Sequence, residues 1–515
     1  MPTLDWLHRE AAFRTAQQVP TRVLRPHAAG HRFGSADAAP GNLLVQGDNL
    51  QALKALLPFY RGQVKCIFID PPYNTQSAFE HYDDNLEHSQ WLSMMLPRLQ
   101  LLREFLREDG SIWVTIDDHE GHYLKVLMDE VFGRRSFVST FVWQKTLTRR
   151  NDAKNVSEAH DYVHCYSPAG SNARFNRLAA GDKQRATYTN RDNDPRGDWL
   201  AIPFHAPNIR PNLTYPITTP GGRILMPPPG RCWSTTREQF EALLADNRIY
   251  FGRDGNGMAQ RKKFWTDATV EMVPWTWWPY EEAGDNREAT REAKLLMAET
   301  GSDPFSTPKP EKLLHRVLEL ATNPGDLILD SFLGSGTTAA VAHKMGRRWI
   351  GIEMGEHAVT HCLPRLQKVV QGEQGGISQA VNWQGGGGFR FVQLGAPLFD
   401  EHGELHPEVR FADLAAFLWL RETGTAYEPA ASPVQGTPLL GVHEGRAVYL
   451  LYNGILGDKR PAAGNVLTSA VLAAMQARCW HEGPKVVYGE ACLLGDARLH
   501  SAGISFRQLP HAVPR

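Results

Sequence analysis

The chain has 515 residues, 42% of them hydrophobic and 22% charged, which excludes a largely disordered protein. Its 55 Lys and Arg against 56 Asp and Glu give a formal net charge of −1, which excludes a globally basic nucleic-acid binder but not a local basic surface. No apolar run approaches the ~18 residues of a membrane span, residues 1–10 lack an apolar signal core, and six scattered cysteines form no CxxC pair, so a soluble, cytoplasmic chain of roughly three domains is expected.

Residues 1–40 carry Pro20, Pro26, Gly30, Gly34 and Pro40 and read as an N-terminal extension with room for one short helix. Leu43-Leu44-Val45 is a short strand, followed by Gly47-Asp48-Asn49 and a helix over 50–57 from the spacing of Leu50, Leu53, Leu56 and Leu57. Residues 64–70 form a second strand, almost continuously apolar, as suits a parallel sheet covered on both faces. Leucines at helical spacing predict a helix over 90–106, closed by Glu108-Asp109-Gly110, and 111–117 is a third strand. This alternation is the doubly wound α/β signature.

From about residue 145 the periodicity fades after a strand over 137–143, and nine prolines fall between 195 and 229. Residues 145–263 hold 19 Lys and Arg against 11 Asp and Glu. A solvated, loop-rich insertion and a surface for phosphate backbones both fit this excess, the former slightly better on charge alone. Regular pattern returns with a helix over 311–320, a strand over 326–330, a glycine-rich turn over 331–337, a helix over 338–345 and a strand over 348–353. The four glycines 385–388 are read as a hinge and domain boundary. Beyond them lies a small α/β module with strands over 447–452 and 485–488 and a helix over 470–479.

Two constellations carry chemistry. In Asp330-Ser331-Phe332-Leu333-Gly334-Ser335-Gly336-Thr337-Thr338, glycines let a ligand approach the backbone at the start of a helix. Glu353, 17 residues past Gly336 at the end of the next strand, can accept hydrogen bonds from ribose hydroxyls. The turn lacks GxGxxG spacing and the Lys of a P-loop, which suits a nucleoside ligand without a large phosphate group. The second constellation is Asp70-Pro71-Pro72-Tyr73, directly after a buried strand. The prolines fix the turn and leave carbonyl acceptors. A carboxylate with such carbonyls can accept both protons of an exocyclic amino group while an aromatic stacks on the ring. The Trp275-Thr276-Trp277-Trp278 cluster is read as packing rather than a stacking platform. His119 and His122 lie three apart without a convincing third ligand, so no metal site is expected.

Asp70-Pro71-Pro72-Tyr73 and Phe332-Leu333-Gly334-Ser335-Gly336 resemble the catalytic and cofactor motifs of DNA amino-methyltransferases dependent on S-adenosyl-L-methionine (AdoMet). The catalytic motif comes first, about 260 residues ahead of the other, an order similar to the β class. Gly47-Asp48-Asn49-Leu50, Phe305-Ser306-Thr307-Pro308-Lys309-Pro310, Gly351-Ile352-Glu353, Gly386-Gly387-Gly388-Phe389-Arg390 and, more loosely, residues 503–510 resemble the modification subunits of type III restriction-modification systems.

The resemblance implies a Rossmann-like methyltransferase sheet with permuted motif order. It divides the chain into an N-terminal extension (1–40), a catalytic half (41–145), a target-recognition region (146–300), an AdoMet half (301–384) and a C-terminal α/β domain for dimerisation or partner docking (385–515). Asp70 would hold the target amino group with help from Pro71 and Pro72, and Tyr73 would stack on the flipped base. Phe332, Gly334, Gly336, Asp330 and Thr337 would shape the AdoMet pocket, Glu353 would bind the ribose, Asp48 would lie near the adenine, and Thr307 and Lys309 would close over the cofactor. Asp at position 70 favours adenine N6 over cytosine N4. With this reading, Lys145, Arg149 and Arg150, and Arg261, Lys262 and Lys263, become phosphate contacts.

The expected substrate is double-stranded DNA, and the expected assembly is a homodimer with a separate helicase-nuclease restriction subunit. A solitary adenine or N4-cytosine methyltransferase is the alternative, and a DNA-binding module without turnover is a third. RNA and protein-glutamine amino-methyltransferases usually carry Asn-Pro-Pro-Tyr and place the AdoMet motif first, so the motif order here argues against them.

Overall fold

The computed structural model describes residues 3–35, 41–75, 86–149, 155–179, 185–266, 271–297, 303–428, 437–452 and 464–510. The chain divides into two compact units, Arg177–Pro274 on its own and the remainder, Met1–Asn176 with Trp275–Arg515.

The larger unit is built on an 11-stranded sheet. Its strands are β1 (Arg22–Pro26), β2 (Arg32–Gly34), β3 (Leu43–Gln46), β4 (Val64–Ile69), β5 (Leu106–Ile116), β6 (Phe137–Gln144), β7 (His160–Tyr166), β8 (Trp277–Trp278), β9 (Leu327–Asp330), β10 (Arg348–Glu353) and β11 (Gly388–Pro397). They run in the order β1-β11-β3-β10-β9-β4-β5-β7-β6-β8, with β2 also on β11. The stretch from β11 to β5 is wholly parallel, and β7 inserts antiparallel between β5 and β6. The larger unit's helices include α1 (Arg9–Gln18), α2 (Asn49–Tyr60), α3 (His88–Phe105), α4 (Gly121–Phe132), α5 (Glu311–Ala321), α6 (Thr337–Lys344) and α7 (Leu363–Val370). The apolar run of β4 is buried on both faces, as parallel pairing demands. The leucines of α3 pack with those of α2 into the main core.

Four readings change. Residues 1–40 hold two strands as well as a helix, because β1 and β2 both pair antiparallel with β11. The glycines at 385–388 are not a boundary hinge: they lead into β11, which pairs in parallel with β3 inside the central sheet. The helix expected to close at Glu108-Asp109-Gly110 ends at Phe105, and 106–110 is already strand. The separately packed middle segment is also narrower than 146–300, because β7 and β8 belong to the central sheet.

The C-terminal strands Leu439–His443, Arg446–Leu450, Lys485–Gly489 and Ile504–Gln508 form their own four-stranded sheet, with the helices Phe411–Thr423 and Ser469–Cys479. Its core takes in Val23 and Phe59, and the Tyr427 N–H donates to the Pro58 carbonyl at 2.8 Å, so it packs on the central unit through α2. Among the described residues, the smaller unit holds short antiparallel strands and the α-helix Arg237–Ala245 around Phe204, Trp233, Phe240 and Phe251. Among the described residues, no helix is long and apolar enough to cross a membrane.

Candidate active site

β9 and β4 are neighbours, with Ile328 opposite Cys66 and Leu329 opposite Ile67. Parallel pairing therefore opens the turns after Ile69 and after Asp330 along one edge of the sheet, where doubly wound folds bind ligands.

The glycine-rich turn is fixed from below. Asp330 Oδ1 accepts the Phe332 N–H at 2.9 Å and Oδ2 accepts the Thr338 hydroxyl at 2.6 Å. Burial pushes the Asp330 carboxyl up to about 7, against those two bonds. Gly334 and Gly336 adopt φ of +55° and +83°, the left-handed region open to glycine. Glu353, buried at the end of β10, accepts the Gly334 N–H at 2.7 Å, and its carbonyl accepts the Gly47 N–H at 3.1 Å. Asp48 caps α2 by accepting the Gln51 N–H, and pairs with Arg98 at 3.0 Å. Its neighbour Asn49 donates to the Ser331 carbonyl at 2.8 Å. Glu353, Asp48 and the turn are thus brought together. Thr307 is exposed on the segment that carries Phe305 and Lys309.

The second turn is held as tightly. Thr115 on β5 donates to Asp70 Oδ1 at 2.5 Å, and Lys309 Nζ donates to Asp70 Oδ2 at 2.6 Å. Lys309 Nζ also lies 4.9 Å from the centroid of the Tyr73 ring. The Trp91 indole donates to the Pro72 carbonyl at 2.8 Å, which fixes the turn and occupies that acceptor. The Tyr73 hydroxyl donates to Asp161 Oδ2 at 3.4 Å, and Lys145 Nζ pairs with Asp161 Oδ1 at 2.6 Å. Burial raises the Tyr73 phenol well above its ordinary range, helped by Asp161 and Asp70, so it stays a neutral ring. Burial also raises the Asp161 carboxyl, opposed by Lys145 and then Lys309.

Three expectations about lysines need correction. Lys309 reaches the catalytic turn, not only the cofactor side. Lys145 is not a free phosphate ligand, because its ammonium is tied to the buried Asp161. The strand Gln260–Phe264 alternates, so Arg261 and Lys263 face solvent while Lys262 is wholly buried on Asp194 at 3.0 Å and on Asp192, out of reach of any phosphate. Arg149 is exposed, and Arg150 lies outside the described residues. The tryptophan cluster divides: Trp278 is buried against Phe141 and Trp113, whereas Trp275 and Trp277 are 56% and 44% exposed. Among the described residues, no three His, Cys, Asp or Glu side chains are grouped to hold a metal ion.

Thr115, Asp161, Glu311 and Arg365 escaped the sequence reading. Glu311, buried at the start of α5, pairs with Lys344 at 2.8 Å and Arg365 at 2.9 Å. Arg365 in turn donates to Thr337 Oγ1 at 2.8 Å, bracing the first residue of α6. Thr115 did leave a signal, a polar residue inside the apolar run Ile112-Trp113-Val114-Thr115-Ile116. The other three depend on contacts across the fold.

A protein-family model described as DNA methylase matches residues 64–363, which include both turns. The chain is 32% identical over 367 residues to the type III restriction-modification enzyme StyLTI Mod subunit of Salmonella typhimurium, covering 65% of this chain and 55% of that one. It is 30% identical over 431 residues to the probable type III restriction-modification enzyme HindVI Mod subunit of Haemophilus influenzae, covering 71% and 56%. It is 33% identical over 334 residues to the type II methyltransferase M.EcaI of Enterobacter cloacae, covering 63% and 69%. The matched part therefore spans little more than half the length of the two Mod subunits.

Proposed function

The chain belongs to the DNA methylase family, and from that premise we propose that it transfers a methyl group from AdoMet to the N6 of an adenine flipped out of double-stranded DNA. The observation that carries the proposal is the pairing of β4 with β9, which sets the Asp70–Tyr73 turn beside the glycine-rich turn.

The residues present fit AdoMet. Ser331 Oγ, on the cofactor turn, is buried without a hydrogen-bond partner among the described residues, a polar atom suited to a ligand. Gly334 and Gly336 leave the backbone bare at the start of α6, and Glu353 supplies the carboxylate for a ribose. Asp48 stands by the same turn through Asn49 and Arg98. Bound AdoMet supplies an electrophilic methyl on a cationic sulfur.

The protein's own part is to present the nitrogen. The amino group of a paired adenine lies in the base plane with its lone pair conjugated, so the base must leave the stack, at a cost of a few kcal/mol. Tyr73, neutral and held through its hydroxyl, offers a flat face that offsets part of this cost. A carboxylate has about four lone-pair sites. With no base present, Asp70 uses one for Thr115 on Oδ1 and one for Lys309 on Oδ2, the oxygen that the amino hydrogens would approach. Accepting those hydrogens draws the nitrogen toward a pyramidal geometry with its lone pair exposed.

Asp rather than Ser at position 70 supports adenine over cytosine as the target. The test is transfer of labelled methyl from AdoMet to unmethylated genomic DNA by wild type, Asp70→Ala and Asp70→Asn, with modified bases mapped and AdoMet binding measured on each variant. N6-methyladenine in one short motif, lost in variants that still bind AdoMet, is the expected result. Equal activity in Asp70→Ala would overturn the assignment.

The Mod-subunit relatives support action as the modification subunit of a type III-like system, and a homodimer, a separate restriction subunit and an intracellular site belong to that proposal. The match to M.EcaI, 69% of whose length is covered, favours a second reading in which the chain methylates without such a partner. Affinity purification of the full chain from its own cells separates the two by the presence or absence of a helicase-nuclease subunit. We assign DNA backbone contact to Arg149, Arg261 and Lys263, the predicted cations that remain exposed.

A further inference from the structure

The two groups that would grip a flipped base, the Asp70 carboxylate and the Tyr73 ring, are both engaged by one lysine. Lys309 Nζ donates to Asp70 Oδ2 at 2.6 Å and lies 4.9 Å from the Tyr73 ring centroid. An ammonium and an exocyclic amino group are both N–H donors, so they compete for one carboxylate oxygen. The Lys309 side chain is 13% exposed and the Asp70 side chain 23%, which leaves the pair largely shielded from water.

A second carboxylate stands within reach of the same charge. Asp161, on β7, is buried and acted on by both Lys145 and Lys309. Its Oδ1 accepts from Lys145 at 2.6 Å, while its Oδ2 accepts a long bond, 3.4 Å, from the Tyr73 hydroxyl. That second oxygen is weakly committed.

We propose that Lys309 is the gate of the base pocket: its ammonium holds the place of the target amino group on Asp70 and over Tyr73, and base entry moves it across to Asp161 Oδ2. The inference rests on the methyltransferase reading. The move keeps the ammonium paired at both ends, which matters because a stranded charge in a half-dry pocket is costly. Asp70 exchanges one N–H donor for another, so its own bonding is conserved. The gate is also tied to the cofactor side. Lys309 follows Phe305, whose ring would lie 3.3 Å from a Cβ placed on Gly334. A change in the glycine-rich turn therefore reaches Lys309 through four residues of chain.

The experiment uses a duplex bearing the mapped site with its target adenine intact and 2-aminopurine as the adjacent base, whose fluorescence rises when its neighbour leaves the stack. Wild type, Lys309→Met, Asp161→Asn and the double variant are compared on flipping, on single-turnover methyl transfer to the adenine duplex, and on thermal unfolding. Lys309→Met is expected to raise the flipped signal several-fold. Asp161→Asn is expected to lower it several-fold, because the lysine has lost its second partner. The double variant is expected to follow Lys309→Met, since no charge remains to be moved.

Lys309→Gln serves as the second variant if Lys309→Met unfolds early. A Lys309 variant that flips no more than wild type, or a double variant that keeps the Asp161→Asn defect, overturns the gate. A wild-type chain that methylates no DNA overturns the functional reading instead, so the two failures are distinct.

Discussion

Asp70 follows and Asp330 ends neighbouring parallel strands of one sheet, although 260 residues separate them in the chain. The two carboxyls live in different surroundings. Asp70 is ion-paired with Lys309 and partly exposed, whereas Asp330 is buried and bonded to a hydroxyl and a backbone N–H. The first is placed to meet a substrate and the second to brace the turn beside it.

Thr115 orients Asp70 from the adjacent strand. Thr115→Val removes the 2.5 Å bond while keeping the shape of the side chain. A hydrogen bond to a charged group contributes about 1.5–3 kcal/mol, which is roughly ten- to a hundredfold in rate if the loss falls on the transition state. Single-turnover methyl transfer is expected to slow by that factor with AdoMet affinity unchanged. An unchanged rate would show that Asp70 needs no orienting bond from Thr115.

Neighbouring cations on one strand should separate by role. Lys262 is buried in an ion pair with Asp194, and Arg261 beside it is exposed. Lys262→Met removes one of two cations from Asp194, which keeps Arg196, and should lower stability by about 1.5–3 kcal/mol. Arg261→Ala should leave stability within about 0.5 kcal/mol and reduce the salt dependence of DNA binding by about one counterion. Urea melts and binding titrations at several salt concentrations read the two effects independently.

What the sequence revealed, and what it hid, follows from the range of each interaction. The turns at Asp70–Tyr73 and Asp330–Thr337 were legible because strand, turn and helix are local patterns. The burial of Lys262 was missed for a different reason: three consecutive cations look solvated until strand alternation turns the middle one inward. Lys145 was misread because its partner Asp161 lies across an antiparallel pair and looks ordinary in sequence. The glycines at 385–388 were read as a hinge because the pairing of β11 with β3 spans more than 340 residues.

Glu311 shows how far support for the cofactor turn extends. It binds Lys344 and Arg365, and Arg365 holds Thr337 at the start of α6. Glu311→Ala leaves two buried cations without their shared carboxylate and should cost about 3–5 kcal/mol of stability. AdoMet binding should weaken as well, because the first turn of α6 loses its brace. Calorimetric titration below the melting temperature checks this. Unchanged affinity in a destabilised variant would confine Glu311 to the core.

Asp330 makes stability depend on pH in the direction opposite to most carboxylates. Its folded-state carboxyl sits at about 7, against about 4 for an ordinary aspartate in the unfolded chain. Between these values the folded protein keeps a proton that the unfolded chain has released. Stability therefore falls as pH rises through that window, by about 1.4 kcal/mol per pH unit at the steepest. Below it both states are protonated, and above it both are ionised, so the contribution is flat. Asp330→Asn keeps an acceptor for the Phe332 N–H and removes the titration. The stability of wild type relative to Asp330→Asn, followed by urea unfolding from about pH 5 to 8, should decline toward pH 7 and then level off. A difference that stayed flat from about pH 5 to 8 would mean that Asp330 is already ionised in the folded protein, with Thr338 and the Phe332 N–H sufficient to hold the charge.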